Sequence, residues 1–381
     1  MSRSRSHEEK PMTRWRYLTG DGVEAAAGLG LDEALMSAHS RTSPDAPPVL
    51  RLYSYRNHAA LCGRYQHLEA EISLEGCRRT GTSFNRRPTG GGAIVMGEGQ
   101  LGVAAVTRAP TARRPRDLML HFSEGIVAGL AKLGIAAVFG GKNDLVVEGR
   151  KIAGLGLYLD SEGGLLFHSS VLAELDVAFM LQVLDIPAAK LGDKAVTAVE
   201  ERVTTVTRET GQAWTGQALR DVVALGFCEA LGCDLAESEP TASEMTRTAE
   251  LIESKYSTDD WLFQRSPQPD VTATSLVKTP GGLLRLYLAL QGTTIKSALF
   301  TGDFNEIPGP LTRFESALRW ARAEPVELGR IAAACFPEGT GLEVEAETLT
   351  AAILQAAEKA GPREVAAPSR TGSCYFPEEE R

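Results

Sequence analysis

The chain contains no Walker A sequence (G-x-x-x-x-G-K-[ST]) and no H-E-x-x-H, so neither a P-loop nor a zincin-type metal site is available to it. Its six cysteines, Cys62, Cys77, Cys228, Cys233, Cys335 and Cys374, include no C-x-x-C pair and no regular spacing. That argues against a disulfide framework or a zinc site and points to reduced thiols in the cytoplasm. No apolar run approaches the ~18 residues of a membrane span. The charged opening "MSRSRSHEEKPMTR" lacks the apolar core of a secretory signal. A basic excess is missing too: 40 Lys and Arg stand against 49 Asp and Glu, a net charge of −9, whereas nucleic-acid binders usually carry a basic face. "RRPR" at 113–116, the densest basic stretch after the N-terminal residues, reads as a solvated loop.

What is present suits a globular fold: 43% hydrophobic and 23% charged residues over 381 positions, about enough for two domains. "GLGLDEALMSAHS" has apolar residues at helical spacing, with Asp32 and Glu33 expected on the helix surface. "RDLMLHFSEGIVAGLAKLG" puts Leu118, Phe122, Ile126, Leu130 and Leu133 on one face before a stop at Gly134. "TGQALRDVVALGFCEALG" reads as another amphipathic helix. "NDLVVEGRKIAGLGLYLDSEGGLLFHSSVLAEL" predicts three strands turning at Glu148-Gly149 and Ser161–Gly164, and hence a partly antiparallel sheet. The polar, proline-bearing stretch 236–272 marks a boundary. Beyond it, two strands joined at Gln291-Gly292 precede helices in "PLTRFESALRWA" and "AETLTAAILQAAEKAG". The fold expected is α/β (α+β): a mixed, largely antiparallel sheet with flanking helices, plus a small α+β domain.

"RRPTGGGAIV" at 86–95 is the first candidate site. Three glycines remove every Cβ, so backbone N–H groups can approach an anion, and Arg86 and Arg87 add charge. A flexible surface loop is the bland alternative, but the run leads straight into an apolar strand. "GEGQLG" at 97–102 matches a dinucleotide fingerprint by letters, yet a strand-like "VAAVT" follows where a helix is required. In "GGKNDLVVEGRKIAGLG", Lys151 offers a compact cation, while Asn143 and Asp144 offer hard oxygens. These also read as a turn signal and a solvated pair. His168, in apolar "LLFHSSVL", reads alone as a satisfied core histidine.

Taken together, Arg86-Arg87-x-Thr89-Gly90-Gly91-Gly92-Ala93, then Gly-Lys-Asn143-Asp144-Leu-Val-Val-x-Gly-Arg-Lys151-Ile-x-Gly154, then Phe-His168 before "SVL" resemble the lipoate–protein ligase A family in order and spacing. Flanking blocks extend the likeness over roughly 20–360. The resemblance implies a biotin/lipoyl ligase-like catalytic domain, related to class II aminoacyl-tRNA synthetases. It divides the chain into a tail at 1–14, a catalytic domain at 15–245, a linker at 246–271, an accessory domain at 272–362 and a tail at 363–381. It implies that lipoate or octanoate is activated with ATP and Mg2+ to an acyl-adenylate and passed to a lysine of a lipoyl domain. Acceptors would be 2-oxoacid dehydrogenase acyltransferase subunits or a glycine cleavage H protein. Lys151 would be catalytic. Arg86, Arg87, Thr89, Gly90, Gly91, Gly92, Ala93, Ile94, Val95, Asn143, Asp144, Gly154 and His168 would bind ATP and the adenylate with it, and Asp144 would hold the metal.

The chain departs from the family pattern at Met96, where a histidine is frequent, and at Ser169, where glycine follows the histidine. Three rivals follow. An octanoyl- or lipoyltransferase would work through an acyl-cysteine, but its usual cysteine positions read "FGGKND" and "IPAAK" here, and none occurs between Cys77 and Cys228. A biotin ligase carries a GRGR-type loop instead. A non-catalytic lipoyl-binding homologue is the third.

Overall fold

A computed structural model describes residues 13–41, 46–110, 114–185, 195–280, 282–304, 309–337 and 344–360. The expected tails at 1–14 and 363–381 lie outside these residues, except that Thr13 and Arg14 open a strand. The chain divides into two compact units, Met1–Ser266 and Pro267–Arg381.

In the first unit the strands run β1 (Thr13–Val23), β2 (Val49–Tyr55), β3 (Ala59–Cys62), β4 (Ser83–Arg86), β5 (Ile94–Met96), β6 (Gln100–Arg108), β7 (Val138–Gly140), β8 (Asp144–Val147), β9 (Arg150–Leu159), β10 (Gly164–Leu172) and β11 (Cys233–Glu237). Eight of them form a mixed sheet in the order β11-β1-β2-β6-β10-β9-β8-β7, and β4-β3-β5 form a small second sheet. The β8–β9 and β9–β10 hairpins fall where the turn signals put them, with Glu148 and Gly149 both at positive φ, 49° and 80°, as a two-residue turn that matches strand twist requires. "GEGQLG" feeds β6 rather than a helix, which removes the dinucleotide reading.

Strand alternation sorts the sheet's two faces. Leu50, Leu52, Val103, Ala105, Leu165 and Phe167 join one core with Leu118, Phe122, Ile126 and Leu130 of the Pro115–Ala131 helix. The intervening Val49, Tyr53, Ala104, Val106 and Leu166 meet Leu29 and Leu35 of the Ala25–Arg41 helix on the other face. On that helix Asp32 and Glu33 are not surface carboxylates. Asp32 is buried and Arg51 Nη1 lies 2.5 Å from its Oδ1, while Tyr53 donates to its Oδ2 at 3.0 Å. Desolvation raises the Asp32 carboxyl, opposed by the Arg51 charge. Glu33 accepts from Lys255 Nζ at 2.6 Å and from Tyr256 Oη at 2.5 Å.

The expected linker at 246–271 includes folded structure, and the first unit runs on to Ser266. Residues 242–251 and 259–262 are helical. The stretch they bound packs on the rest of the first unit through Lys255 and Tyr256, which bind Glu33, and through Trp261, whose Nε1 donates to Arg86 O at 2.8 Å. A capping box at Thr241 and Glu244 starts the first helix, and Arg16 pairs with that Glu244 at 2.6 Å.

The second unit is an antiparallel meander of β12 (Ala273–Thr279), β13 (Gly282–Gln291) and β14 (Thr294–Gly302) with helices at Gly309–Ala317, Pro325–Cys335 and Ala346–Ala360. β12 and the 325–335 helix go beyond the sequence reading. The alternation in β12 is short, and Pro325 opens its helix at a position tolerant of proline.

The Pro115–Ala131 helix crosses the Arg220–Leu231 helix at glycines. A Cβ on Gly226 would stand 2.2 Å from Gly125 O and 2.3 Å from Gly129 N, both rigid backbone. Gly226→Ala is therefore expected to destabilise the first unit by about 3 kcal/mol, read as a lower urea midpoint; an unchanged midpoint refutes this contact.

Candidate functional site

A cleft of about 630 Å³ opens on the sheet face that meets the Ala25–Arg41 helix. Its polar end is built by β9, β10 and Asn143 just ahead of β8, and its apolar wall by the small sheet.

Lys151 reaches the cleft through an irregularity. Leu145 of β8 opposes Ala153 of β9, but Val146 opposes Lys151, so Ile152 is one residue too many in β9. A bulge of this kind re-aims the side chain beside it. Ile152 turns into the core, while the Lys151 ammonium lies over Gly154, where a Cβ would stand only 3.0 Å from Nζ. The lysine's main chain is fixed on both sides, donating to Arg202 O and accepting from Thr204 N, each at 2.8 Å. Asp144 Oδ1 lies 2.6 Å from Nζ. Asn143 donates from Nδ2 to Leu155 O at 3.0 Å and accepts at its own carbonyl from Leu155 N at 2.8 Å, which locks the β8–β9 register around the bulge.

The two arginines have different fates. Arg87 lines the cleft. Its Nη1 donates to Leu61 O at 3.0 Å, and its Nη2 donates to Gly90 O and Gly92 O at 2.7 Å each. Arg86, expected to face the anion, does not line the cleft. It is fully buried and donates to Gly63 O, Arg64 O, Gln66 O, Trp261 O and Leu262 O at 2.7–3.1 Å. Its donors are consumed by backbone, so it clamps the loop from behind. Burial lowers its pKa, yet a guanidinium stays charged.

With the Gly90 and Gly92 carbonyls drawn to Arg87, trans peptide geometry turns the N–H groups of Gly91 and Ala93 the opposite way. Gly91 sits at φ 88°, and its carbonyl packs where a Cβ on Gly63 would be, 2.0 Å away. Both positions thus require glycine. Thr89 Oγ1 shares a 2.9 Å hydrogen bond with His168 Nε2. Desolvation and the neighbouring Arg87 charge lower the His168 pKa to about 3. The ring is neutral at physiological pH and functions as a hydrogen-bonding group.

The period of two decides the apolar wall. Leu61 pairs with Ile94, and Ala59 with Met96; Leu61, Ile94 and Met96 line the cleft beside Ala93 and Gly92. Ala60, Cys62 and Val95 point the other way, into a small core with Leu68, Ile72 and Cys77. Val95, expected along the nucleotide, is therefore a core residue. Cys62 Sγ donates to Gly63 O at 3.3 Å, and Cys77 is buried in the same core, which raises its thiol pKa. No cysteine is among the residues lining the cleft.

Of the expected residues the cleft thus brings together Arg87, Gly92, Ala93, Ile94, Asn143, Lys151, Gly154 and His168. Thr89, Gly90, Gly91 and Asp144 support them from one step behind, and Arg86 and Val95 stand apart. Sequence reasoning missed Tyr53, Tyr55 and Ser170, which line the cleft, and Gly156, where a Cβ would strike His168 Nε2 at 2.4 Å. The signal for Gly156 was its place opposite His168 in a hairpin of known register. Among the described residues no cluster of three or more His, Cys, Asp or Glu side chains could hold a metal. Asp144, expected to bind Mg2+, offers a single carboxylate beside a lysine, which fits a cation only if phosphate oxygens complete its shell.

A lysine set over a glycine, a glycine-rich loop and an apolar wall thus line one cleft on a biotin/lipoate ligase-like fold. The family model described as the lipoyl protein ligase A/B catalytic domain matches residues 24–228, and the chain belongs to that family. A relative named octanoyltransferase LipM, from Kyrpidia tusciae, is 32% identical over 67% of this chain and 100% of its own length. Two solved structures are similar. One is a bipartite lipoate protein ligase from Thermoplasma acidophilum, studied with its E2 lipoyl domain. It shows 27% identity and a TM-score of 0.60 over 68% of this chain and 100% of that one. The other is a lipoate-protein ligase A bound with ATP, with 26% identity and a TM-score of 0.57 over 65% and 98%. Among the described residues no helix is long and apolar enough to cross a membrane.

Two outcomes test this geometry. In Gly154→Ala the new methyl would stand 3.0 Å from Lys151 Nζ and 3.6 Å from Ser170 Oγ, side-chain atoms rather than backbone, so unfolding free energy should change by less than about 1 kcal/mol, while displacement of the ammonium should cut acyl transfer by about 10²-fold; full activity refutes the role of Gly154. The second concerns pH. A histidine whose folded pKa lies below its unfolded value stabilises fully above the unfolded pKa of about 6.5 and less as pH falls toward 3. From pH 7 to 5 the parent should lose up to about 2 kcal/mol more stability than His168→Gln, measured by urea unfolding at both pH values; parallel losses refute a neutral, half-buried ring.

Proposed function

We propose that this chain is an octanoyltransferase, moving an eight-carbon acyl group from a thioester donor to a lysine of a lipoyl domain. The observation that carries this reading is the likeness to the octanoyltransferase LipM of Kyrpidia tusciae, which spans all of that protein and 67% of this chain. The study of the Thermoplasma ligase with its E2 lipoyl domain supports the acceptor class. In the cleft the acyl chain lies along Leu61, Ile94 and Met96, and its carbonyl meets Lys151. With Cys62 and Cys77 turned into the small core, transfer takes one step. The neutral amine of the acceptor lysine attacks the thioester carbon, and the Lys151 ammonium stabilises the oxyanion. The C–S bond breaks, and the sulfur leaves as a thiol with the proton shed by the nitrogen.

One observation favours a second reading, ATP-dependent ligation: the chain is similar to a lipoate-protein ligase A bound with ATP, and an adenylate route, like the one-step transfer, needs no thiol in the cleft. On that route the Gly91 and Ala93 N–H groups and Lys151 would hold the phosphate of the acyl-adenylate, and Asp144 would share Mg2+ with the phosphates. Lipoate would be as good a substrate as octanoate.

The two readings separate in one assay. A lipoyl domain is incubated with the chain and either octanoyl-acyl carrier protein without ATP, or octanoate or lipoate with ATP and Mg2+, and its mass and any released pyrophosphate are followed. Octanoylation from the thioester without ATP is expected, retained within about twofold by Cys62→Ser and Cys77→Ser because neither thiol faces the cleft. Modification only with ATP, accompanied by pyrophosphate, overturns the transferase reading for the ligase. A trapped acyl-thioester on either cysteine overturns the one-step chemistry.

A further inference from the structure

The pairing of the large sheet lays one row of residues from the polar end of the cleft toward its far wall. Gly154 of β9 pairs with Ser170 of β10, Ser170 with Gly102 of β6, and Gly102 with Tyr53 of β2. Cross-strand partners share a face. The face is the one carrying the cleft, since a Cβ on Gly154 would meet Lys151 Nζ at 3.0 Å and Ser170 Oγ at 3.6 Å. The row therefore reads glycine, serine, glycine, tyrosine: a shallow floor that ends in a bulky ring. That ring leans back over its neighbour, for a Cβ on Gly102 would lie 2.8 Å from Tyr53 Cε2 and Cζ.

The ring is also fixed. Tyr53 Oη donates to Asp32 Oδ2 at 3.0 Å, and the Arg51 guanidinium sits 4.0 Å above the ring centroid, itself paired with Asp32. Tyr55 packs beside it with centroids 5.7 Å apart. All four residues are buried. A side chain held by a hydrogen bond, a cation over its face and a second ring cannot swing aside cheaply.

We propose that Tyr53 is a specificity-determining stop that limits the acyl chain to about eight carbons. From Gly154, under the Lys151 ammonium, to Gly102, under the Tyr53 ring, is two strand spacings, roughly 10 Å. An extended chain advances about 1.25 Å per carbon for bonds near 1.5 Å, so its eighth carbon lies about 9 Å from the carbonyl. With the carbonyl at Lys151, an octanoyl chain ends against the ring. The 6,8-dithiooctanoyl chain of lipoate has the same backbone length, and ten or twelve carbons overrun the floor.

This inference rests on the acyl-group reading of the cleft, so its test uses binding, which does not depend on how the acyl group is activated. Affinities of the free acids of six, eight, ten and twelve carbons are measured by calorimetry on the parent, on Tyr53→Leu and on Gly102→Ala. Circular dichroism and thermal unfolding verify that each is folded. The parent should bind octanoate at least tenfold tighter than dodecanoate. Tyr53→Leu should reverse that preference by lengthening the floor, and Gly102→Ala, which forces a methyl into the ring's space, should move the optimum below eight carbons. The opposite directions of the two variants keep the test decisive if one of them fails to fold. A cut-off that stays at eight carbons in either folded variant overturns the stop. So does a folded parent that binds all four acids equally or none; the lipoyl-domain assay then judges acyl transfer separately.

Discussion

Lys151 faces the cleft because β9 carries one residue more than β8 has partners for. Without Ile152 as that extra residue, the alternation of the strand would put Lys151 and Gly154 on opposite faces. The bulge places the ammonium above the glycine, and much around it serves to hold that register. Asn143 and Leu155 exchange two hydrogen bonds, residues 202 and 204 grip the lysine's main chain, and Asp144 faces its ammonium. A local defect in the hydrogen-bond ladder thus sets the position of the lysine that lines the cleft.

The same period of two governs the rest of the site. It divides Leu61 from Cys62 and Ile94 from Val95, giving the cleft its apolar wall and turning the Cys62 thiol into the small core. It also divides Arg86 from Arg87 at the end of β4. One guanidinium braces the glycine loop from the cleft side, and the other braces the turn at 63–66 and the helix at 259–262 from behind. The glycine loop is thereby held in one shape before any ligand arrives. Such pre-organisation lowers the ordering cost of binding.

Much of this was legible in the chain. The β8–β9–β10 hairpins and the buried stripe of the Pro115–Ala131 helix follow from periodicity and turn chemistry, and the grouping of the glycine loop with Lys151 and His168 follows from the ordered blocks. The illegible parts are those decided by partners far away. Asp32 looked like a surface carboxylate because its partner Arg51 lies on another element. The 246–262 stretch looked like linker because it is polar, yet its anchors are Glu33 and Arg86. The bulge leaves no mark in composition, since one extra residue in a strand changes register and nothing else. The fate of Arg86 was within reach: adjacent residues of an extended strand cannot both face one ligand.

Arg86 carries a consequence of another kind. Its charge is held by six hydrogen bonds to five backbone carbonyls, and carbonyls neither titrate nor exchange partners with dissolved ions. An exposed ion pair weakens as mobile ions gather round it, whereas dipoles sealed around a cation are out of their reach. The joint that Arg86 makes between the turn at 63–66 and the helix at 259–262 should therefore keep its strength from dilute buffer to concentrated salt, and in acid strong enough to protonate every carboxylate nearby.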